Sequence, residues 1–197
     1  MRKSLILCGI LTTCLTAACT LAPRDTGRAF MFALAPLEDT RHLSGADSLI
    51  VALPVAAPEL DTYRIALVRD GKRWDYYAGA RWSEFLPVLV QDNLTKTLEK
   101  SGVFKTVTTD GTGISGNRIL KTEIRAFHAG YGQGVSAPVV KIRMIASLLS
   151  HPERVPLVSF EGSAEEKASG DSLPEIQAAF GAAFSRVQRK FVAGVGK

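Results

Sequence analysis

Hydrophobic and polar positions alternate most regularly in the second half of the chain. Leu120, Thr122, Ile124 and Ala126 interleave with Lys121, Glu123 and Arg125; Val140, Ile142, Met144, Ala146 and Leu148 interleave with Lys141, Arg143 and Ser147. A period of two sends alternate side chains to opposite faces of a strand, and Val158 and Phe160 against Ser159 and Glu161 supply a third such run. Strands of this kind, joined by polar or Gly-rich turns, predict a half-solvated and mostly antiparallel sheet. The period lengthens in two places. Phe85, Leu86, Leu89, Val90, Leu94 and Leu98 fall at helical spacing between Ser83 and Ser101, with Pro87 in the first turn and Gly102 placed to end the helix in a left-handed conformation. Ile176, Ala179, Phe180, Ala183, Phe184, Val187 and Phe191 form a second stripe, opened by Ser172 and Glu175 as a capping box around Pro174. Earlier, Arg28 to Leu34 and Ser48 to Leu53 are short β-forming runs, the second apolar on both faces and so interior. Tyr63 to Arg69 and Arg73 to Tyr77 flank Asp70-Gly71, a hairpin signal. These elements predict an α+β fold: one domain whose mostly antiparallel sheet carries two long helices. No internal repeat is visible.

The first residues belong to a different regime. Arg2 and Lys3 precede an apolar run, Leu5 to Ala18, interrupted only by threonines and followed by small residues. This is the pattern of a bacterial secretion signal. Stretching the run to Ala22 as a membrane-spanning anchor would admit four threonines and Cys19 before Pro23 stops it. Leu15-Thr16-Ala17-Ala18-Cys19 resembles a lipobox, where a bacterial lipoprotein is cut before a cysteine that is then acylated. The departure is Thr16, standing where leucine is usual. Cys14 has Leu11 at the usual spacing, but Thr13 suits a peptidase poorly; a plain signal with a chance cysteine is the remaining alternative. Residues 1–18 are thus expected as signal peptide, 19–27 as lipidated tether and 28–197 as the domain. Thr20, which follows Cys19 and is not aspartate, points by the lipoprotein sorting rule to the outer membrane, facing the periplasm.

Composition then narrows the function. At 197 residues with 46% hydrophobic and 22% charged residues, the chain has material for a core and is not a disordered or low-complexity sequence. Removing Arg2 and Lys3 lowers the formal charge from +5 to +3, too little to argue for nucleic acid. Cys8 and Cys14 leave with the signal, and Cys19 would be thioether-linked. No thiol would then remain for a disulfide, a metal or a nucleophile.

Two glycine clusters and the polar residues complete the chemical inventory. Asp110 to Gly116 contains G-x-G-x-x-G, but a phosphate loop must open a helix and Asn117 onward alternates as a strand. Gly130-Tyr131-Gly132-Gln133-Gly134 reads as a flexible connection. His42, His128 and His151 stand apart without metal-ligand spacing. Asp61, Asp75 and Glu84 form no acid/base pair by spacing. There is no G-x-S-x-G elbow or P-loop, and no cofactor is expected.

Residues Leu60-Asp61-Thr62-Tyr63-Arg64-Ile65-Ala66-Leu67, Asp75-Tyr76-Tyr77-Ala78-Gly79-Ala80-Arg81-Trp82, Leu86-Pro87 and Leu98-Glu99-Lys100-Ser101-Gly102-Val103-Phe104 strongly resemble the ABC-type transport auxiliary lipoprotein family. The resemblance implies a non-enzymatic auxiliary of a system with an ABC permease, an ATPase and a mammalian-cell-entry (MCE) domain protein, moving lipid across the envelope. Its implied partners are the periplasmic MCE-domain component and the membrane, through the N-terminal lipid; a homo-oligomer is admitted. A periplasmic lipid carrier with its own apolar pocket is the alternative, and a cell-wall hydrolase a third. Trp82 is expected in the core. Tyr76 and Tyr77, at a strand-to-helix junction, either close the core or present an aromatic surface. Leu60, Asp61 and Tyr63, in a loop begun by Pro54 and Pro58, are further candidates for a partner or ligand surface.

Overall fold

A computed structural model of the chain describes residues 29–38, 45–111, 113 and 116–196. The signal, the whole tether with Cys19, and His42 lie outside them. The strands are β1 (Phe30–Phe32), β2 (Ser48–Val51), β3 (Val55–Ala56), β4 (Arg64–Arg69), β5 (Arg73–Trp82), β6 (Thr106–Thr109), β7 (Arg118–Tyr131), β8 (Val139–Ser150) and β9 (Pro156–Lys167). The helices are α1 (Leu86–Ser101) and α2 (Leu173–Val195). The architecture is α+β in one domain.

The sheet is organised around β7. One edge of β7 pairs antiparallel with β8 along its whole length, and β8 pairs antiparallel with β9. The other edge is shared: β2 and β3 pair with its N-terminal half and β4 with its C-terminal half, all parallel. β5 pairs antiparallel with β4, β1 parallel with β5, and β6 parallel with β2. The longest ladders are therefore antiparallel as expected, but the sheet is mixed. The reason lies in β4, where Ile65, Ala66, Leu67 and Val68 are all buried: a strand buried on both faces has no solvent side to dictate its partner, and β4 joins β7 as an interior parallel strand.

Leu120, Ile124, Phe127, Ile142, Met144 and Ala146 turn to the helices, while Lys121, Glu123 and Arg143 face away. Trp82, Phe32, Phe127 and Phe180 form one aromatic knot, with Trp82 centroids 5.7, 5.5 and 5.1 Å from the other three in that order. The helix ends follow local chemistry. Gly102 takes φ 65° and its N–H donates to Glu99 O at 3.3 Å. Ser172 N and Oγ donate to Glu175 Oε2 at 3.1 and 2.6 Å. α1 begins at Leu86 rather than Ser83, with Phe85 at the N-cap and no side-chain cap.

Two further departures matter. β1 ends at Phe32, and residues 33–38 run extended against both helices: Gln177 Nε2 donates to Ala33 O, Gln188 Nε2 to Ala35 O, and Leu37 N to Thr97 Oγ1. β5 continues past Tyr77 to Trp82 through a register shift between Arg64 and Ala66 of β4, with Gly79 at φ 67° inside the irregularity. Tyr76 and Tyr77 consequently lie mid-strand, not at a strand-to-helix junction.

Candidate functional site

The β4–β5 hairpin separates its aromatic residues by strand alternation. In β5, Trp74 and Tyr76 point to one side and Asp75 and Tyr77 to the other. Register places Tyr76 and His128 beside Ala66, and Trp74 beside Val68, on the side away from the helices. There the Trp74 and His128 rings meet edge-on at 5.1 Å. Arg64 lays its guanidinium 3.9 Å from the Tyr76 ring centroid, and Tyr76 Oη donates to Glu59 O at 3.2 Å. Burial holds the His128 imidazole below its ordinary pKa, helped by the Lys141 ammonium. Trp74 remains 42% exposed.

On the helix side Tyr77 Oη and Tyr131 Oη lie 2.9 Å apart, and Tyr131 Oη donates to Asp171 Oδ1 at 2.6 Å, just before α2 begins. Arg69 stands 5.2 Å from the Tyr131 ring centroid. Burial and the neighbouring phenol raise Tyr77 far above the usual phenol range; Tyr131 is pushed up to about 12, by burial first and then by its bond to Asp171. Both phenols are neutral donors at physiological pH. This group ties β5, β7 and the start of α2 together.

The loop before β4 divides its candidates. Leu60 is 1% exposed and belongs to the core, which corrects its expected place on a surface. Its N–H and that of Asp61 both donate to Ala57 O, a tight turn that points Leu60 inward and leaves Asp61 exposed. Tyr63 is 43% exposed, with its ring against Phe85 at 4.7 Å and its hydroxyl bonded to Glu84, which raises its pKa. The aromatic candidates therefore divide: Tyr63 is exposed against the start of α1, whereas exposed Trp74 and half-buried Tyr76 share the face away from the helices, and Trp74 is not among the residues that the sequence singles out. Its signal was the alternation with Tyr76 beside Asp70-Gly71.

Residues 32–192 match the model of the ABC-type transport auxiliary lipoprotein component family. The chain belongs to this family. No curated protein matches it. Among solved structures, the DUF330-family protein XCC0632 from Xanthomonas campestris is similar at TM-score 0.74 and 23% identity, over 83% of this chain and 91% of that one. A structure of an uncharacterized protein aligns at TM-score 0.64 and 13% identity, over 84% and 97% of the two chains. A PelC dodecamer from Paraburkholderia phytofirmans aligns at 0.44 and 12% identity, over 76% and 95%. The first two share the fold.

Membership makes the chain an auxiliary component of ABC-type transport with a cell-envelope location. The remaining polar candidates of this auxiliary lipoprotein do not converge on chemistry. Asp75 Oδ1 accepts Tyr76 N and Glu84 Oε1 accepts Phe85 N, each a local bond. His151 Nδ1 sits 3.0 Å from Gly116 O, far from His128 in the fold. Among the described residues no group of three His, Cys, Asp or Glu could hold a metal, and no helix is long and apolar enough to cross a membrane. After β6 the next element is β7, so the described part of the glycine run opens a strand. Asp110 instead ties loops together, accepting Gln91 Nε2 and Leu53 N.

Proposed function

We propose that this auxiliary lipoprotein is acylated on Cys19, resides in the outer membrane facing the periplasm, and serves an MCE-associated lipid transport system without catalysis of its own. The carrying observation is the family match across 32–192, nearly the whole domain. Lipid movement driven by an ATPase elsewhere needs from this chain an anchored docking surface, and exposed Tyr63 and Asp61 with half-buried Tyr76 supply aromatic and polar groups suited to a protein interface. The periplasmic MCE-domain component is the partner this reading proposes.

The test has two arms. Cys19→Ser should abolish palmitate labelling and release the protein from the membrane, whereas labelling that persists removes the lipid site. Cross-linking in cells should join the domain to the MCE component, with the bond lost on alanine substitution of Tyr76.

The carrier reading has one structural support: a 570 Å³ cleft between the far ends of α1 and α2, walled by Val103, Phe104, Leu148, Leu157, Val158 and Val195 with the Asp47–Arg118 ion pair at its side. Phospholipid co-purifying at one molecule per chain would favour it over the docking role.

A further inference from the structure

The tip of the β4–β5 hairpin has a composition that docking through Tyr63, Tyr76 and Asp61 does not explain. Arg69, Asp70, Lys72 and Arg73 place three cations and one acid on five exposed residues, followed at once by half-exposed Trp74. Asp70 and Gly71 both adopt left-handed conformations, φ 52° and 68°, and Lys72 N donates to Arg69 O at 3.1 Å, so the turn is tight and carries exposed Lys72 and Arg73 at its end, with Arg69 beside the Tyr131 ring. Among the described residues Lys72 and Arg73 have no acidic partner within ion-pair distance. Asp70 N donates to Tyr131 O, which sets the tip beside the connection after β7. That connection, Gly132 to Pro138, carries no charge and exposes Val135 at 47%.

From this juxtaposition we infer that the hairpin tip is a membrane-contact surface, seated on the anionic headgroups of the bilayer that holds the chain. Cations, a neighbouring tryptophan and an uncharged loop with an exposed valine are groups that an anionic interface takes up: ammonium and guanidinium at the phosphates, indole and Val135 at the boundary of headgroup and acyl chain. Reach permits it. Phe30 pairs with Ala80, six residues along β5 from Trp74, at most about 20 Å of strand. The ten residues from Cys19 to Arg28 span up to roughly 33 Å. The tip can therefore meet the same bilayer, fixing the domain's orientation instead of leaving it to swing on its tether. The inference rests on the Cys19 anchor proposed above.

The experiment reconstitutes the purified full chain into vesicles of brominated phosphatidylcholine, with or without phosphatidylglycerol, and reads tryptophan quenching. The chain has two tryptophans, and Trp82 is buried. Quenching should arise only with phosphatidylglycerol, vanish in Trp74→Phe and fall in high salt. It should drop more than about tenfold in Lys72→Glu/Arg73→Glu, since each basic residue at an anionic surface contributes about fivefold in partitioning. The two charge reversals are on an exposed turn, so their effect is separable from any loss of packing by Trp74 on His128. Equal quenching in Trp74→Phe, or none with phosphatidylglycerol, overturns the inference. So does a tip variant that loses the transporter component while quenching is unchanged. Flotation of wild type against Cys19→Ser reads the anchor separately: vesicles that float the wild type but show no lipid-dependent quenching refute the tip alone.

Discussion

Gln188 on α2 donates to the Thr97 hydroxyl on α1 at 2.9 Å, and the same oxygen accepts Leu37 N at 3.0 Å. All of this is buried: Thr97 is 1% and Gln188 0% exposed. One hydroxyl thus joins both helices to the extended segment 33–38. Thr97→Val keeps the shape but leaves two buried donors short of an acceptor, which should cost roughly 2 to 4 kcal/mol. Adding Gln188→Met removes one of the stranded donors, so the double variant should recover part of the loss. Urea melts of the two variants measure both effects.

Trp82 offers a cleaner test of core packing. Its indole fills the space among Phe32, Phe127 and Phe180, while its Nε1 has no hydrogen-bond partner among the described residues. Trp82→Ala should cost about 3 to 5 kcal/mol, as large-to-small core changes do. Trp82→Phe loses volume but also removes an unmet donor, and should cost less than about 2 kcal/mol. Thermal denaturation of both variants tests the ordering.

How much of this was legible depends on which forces act locally. α2 was readable from Ser172 and Glu175 at one end and a phenylalanine-rich stripe along it, because capping and one-sided burial both write themselves into adjacent residues. β7 and β8 were readable for the same reason. The pattern of β5 predicts a strand only to Tyr77, because the Ala78-Gly79 irregularity breaks the period of two before Ala80 and Trp82 resume it. β3 has no pattern to show, being two residues long beside Pro54, with Val55 exposed. The Tyr77–Tyr131–Asp171 group joins residues 54 and 40 positions apart, and no local pattern encodes such a meeting. Leu60 is different: its turn closes locally on Ala57 O, but that the turn faces the core depends on the elements packed around it.

His128 makes stability depend on pH. Burial first, then Lys141, holds its pKa below the ordinary 6.5, so the folded chain resists a proton that the unfolded chain accepts. Stability is then full above the unfolded value and declines as pH falls through about 6.5 toward the lower folded value. His128→Phe, which keeps a ring against Trp74, should flatten the loss of melting temperature between about pH 7 and 5.5. That window lies above the range where Asp47, Glu161 and Glu175 take up protons, since each is held below its usual value by hydrogen-bond donors. An unchanged slope in the variant would assign the pH dependence to other groups.

The two adjacent tyrosines should separate stability from binding. Tyr77 points toward the helices, and its hydroxyl is bonded to a phenol that is itself held by Asp171. Tyr77→Phe should cost about 1 kcal/mol for the lost hydrogen bond, and Tyr77→Ala several-fold more, without changing any partner affinity beyond what lost fold explains. Tyr76 points the other way, with Arg64 over its ring and its hydroxyl on Glu59 O. Its ring is half-buried, so Tyr76→Ala should lower the melting temperature by less than Tyr77→Ala does. If Tyr76 docks the transporter's periplasmic component, the same variant should lose upward of about 2 kcal/mol of binding, the scale of a central interface aromatic. Melting curves and pull-downs on the two alanine variants decide between the roles: binding retained in Tyr76→Ala, with its fold intact, would remove Tyr76 from the interface.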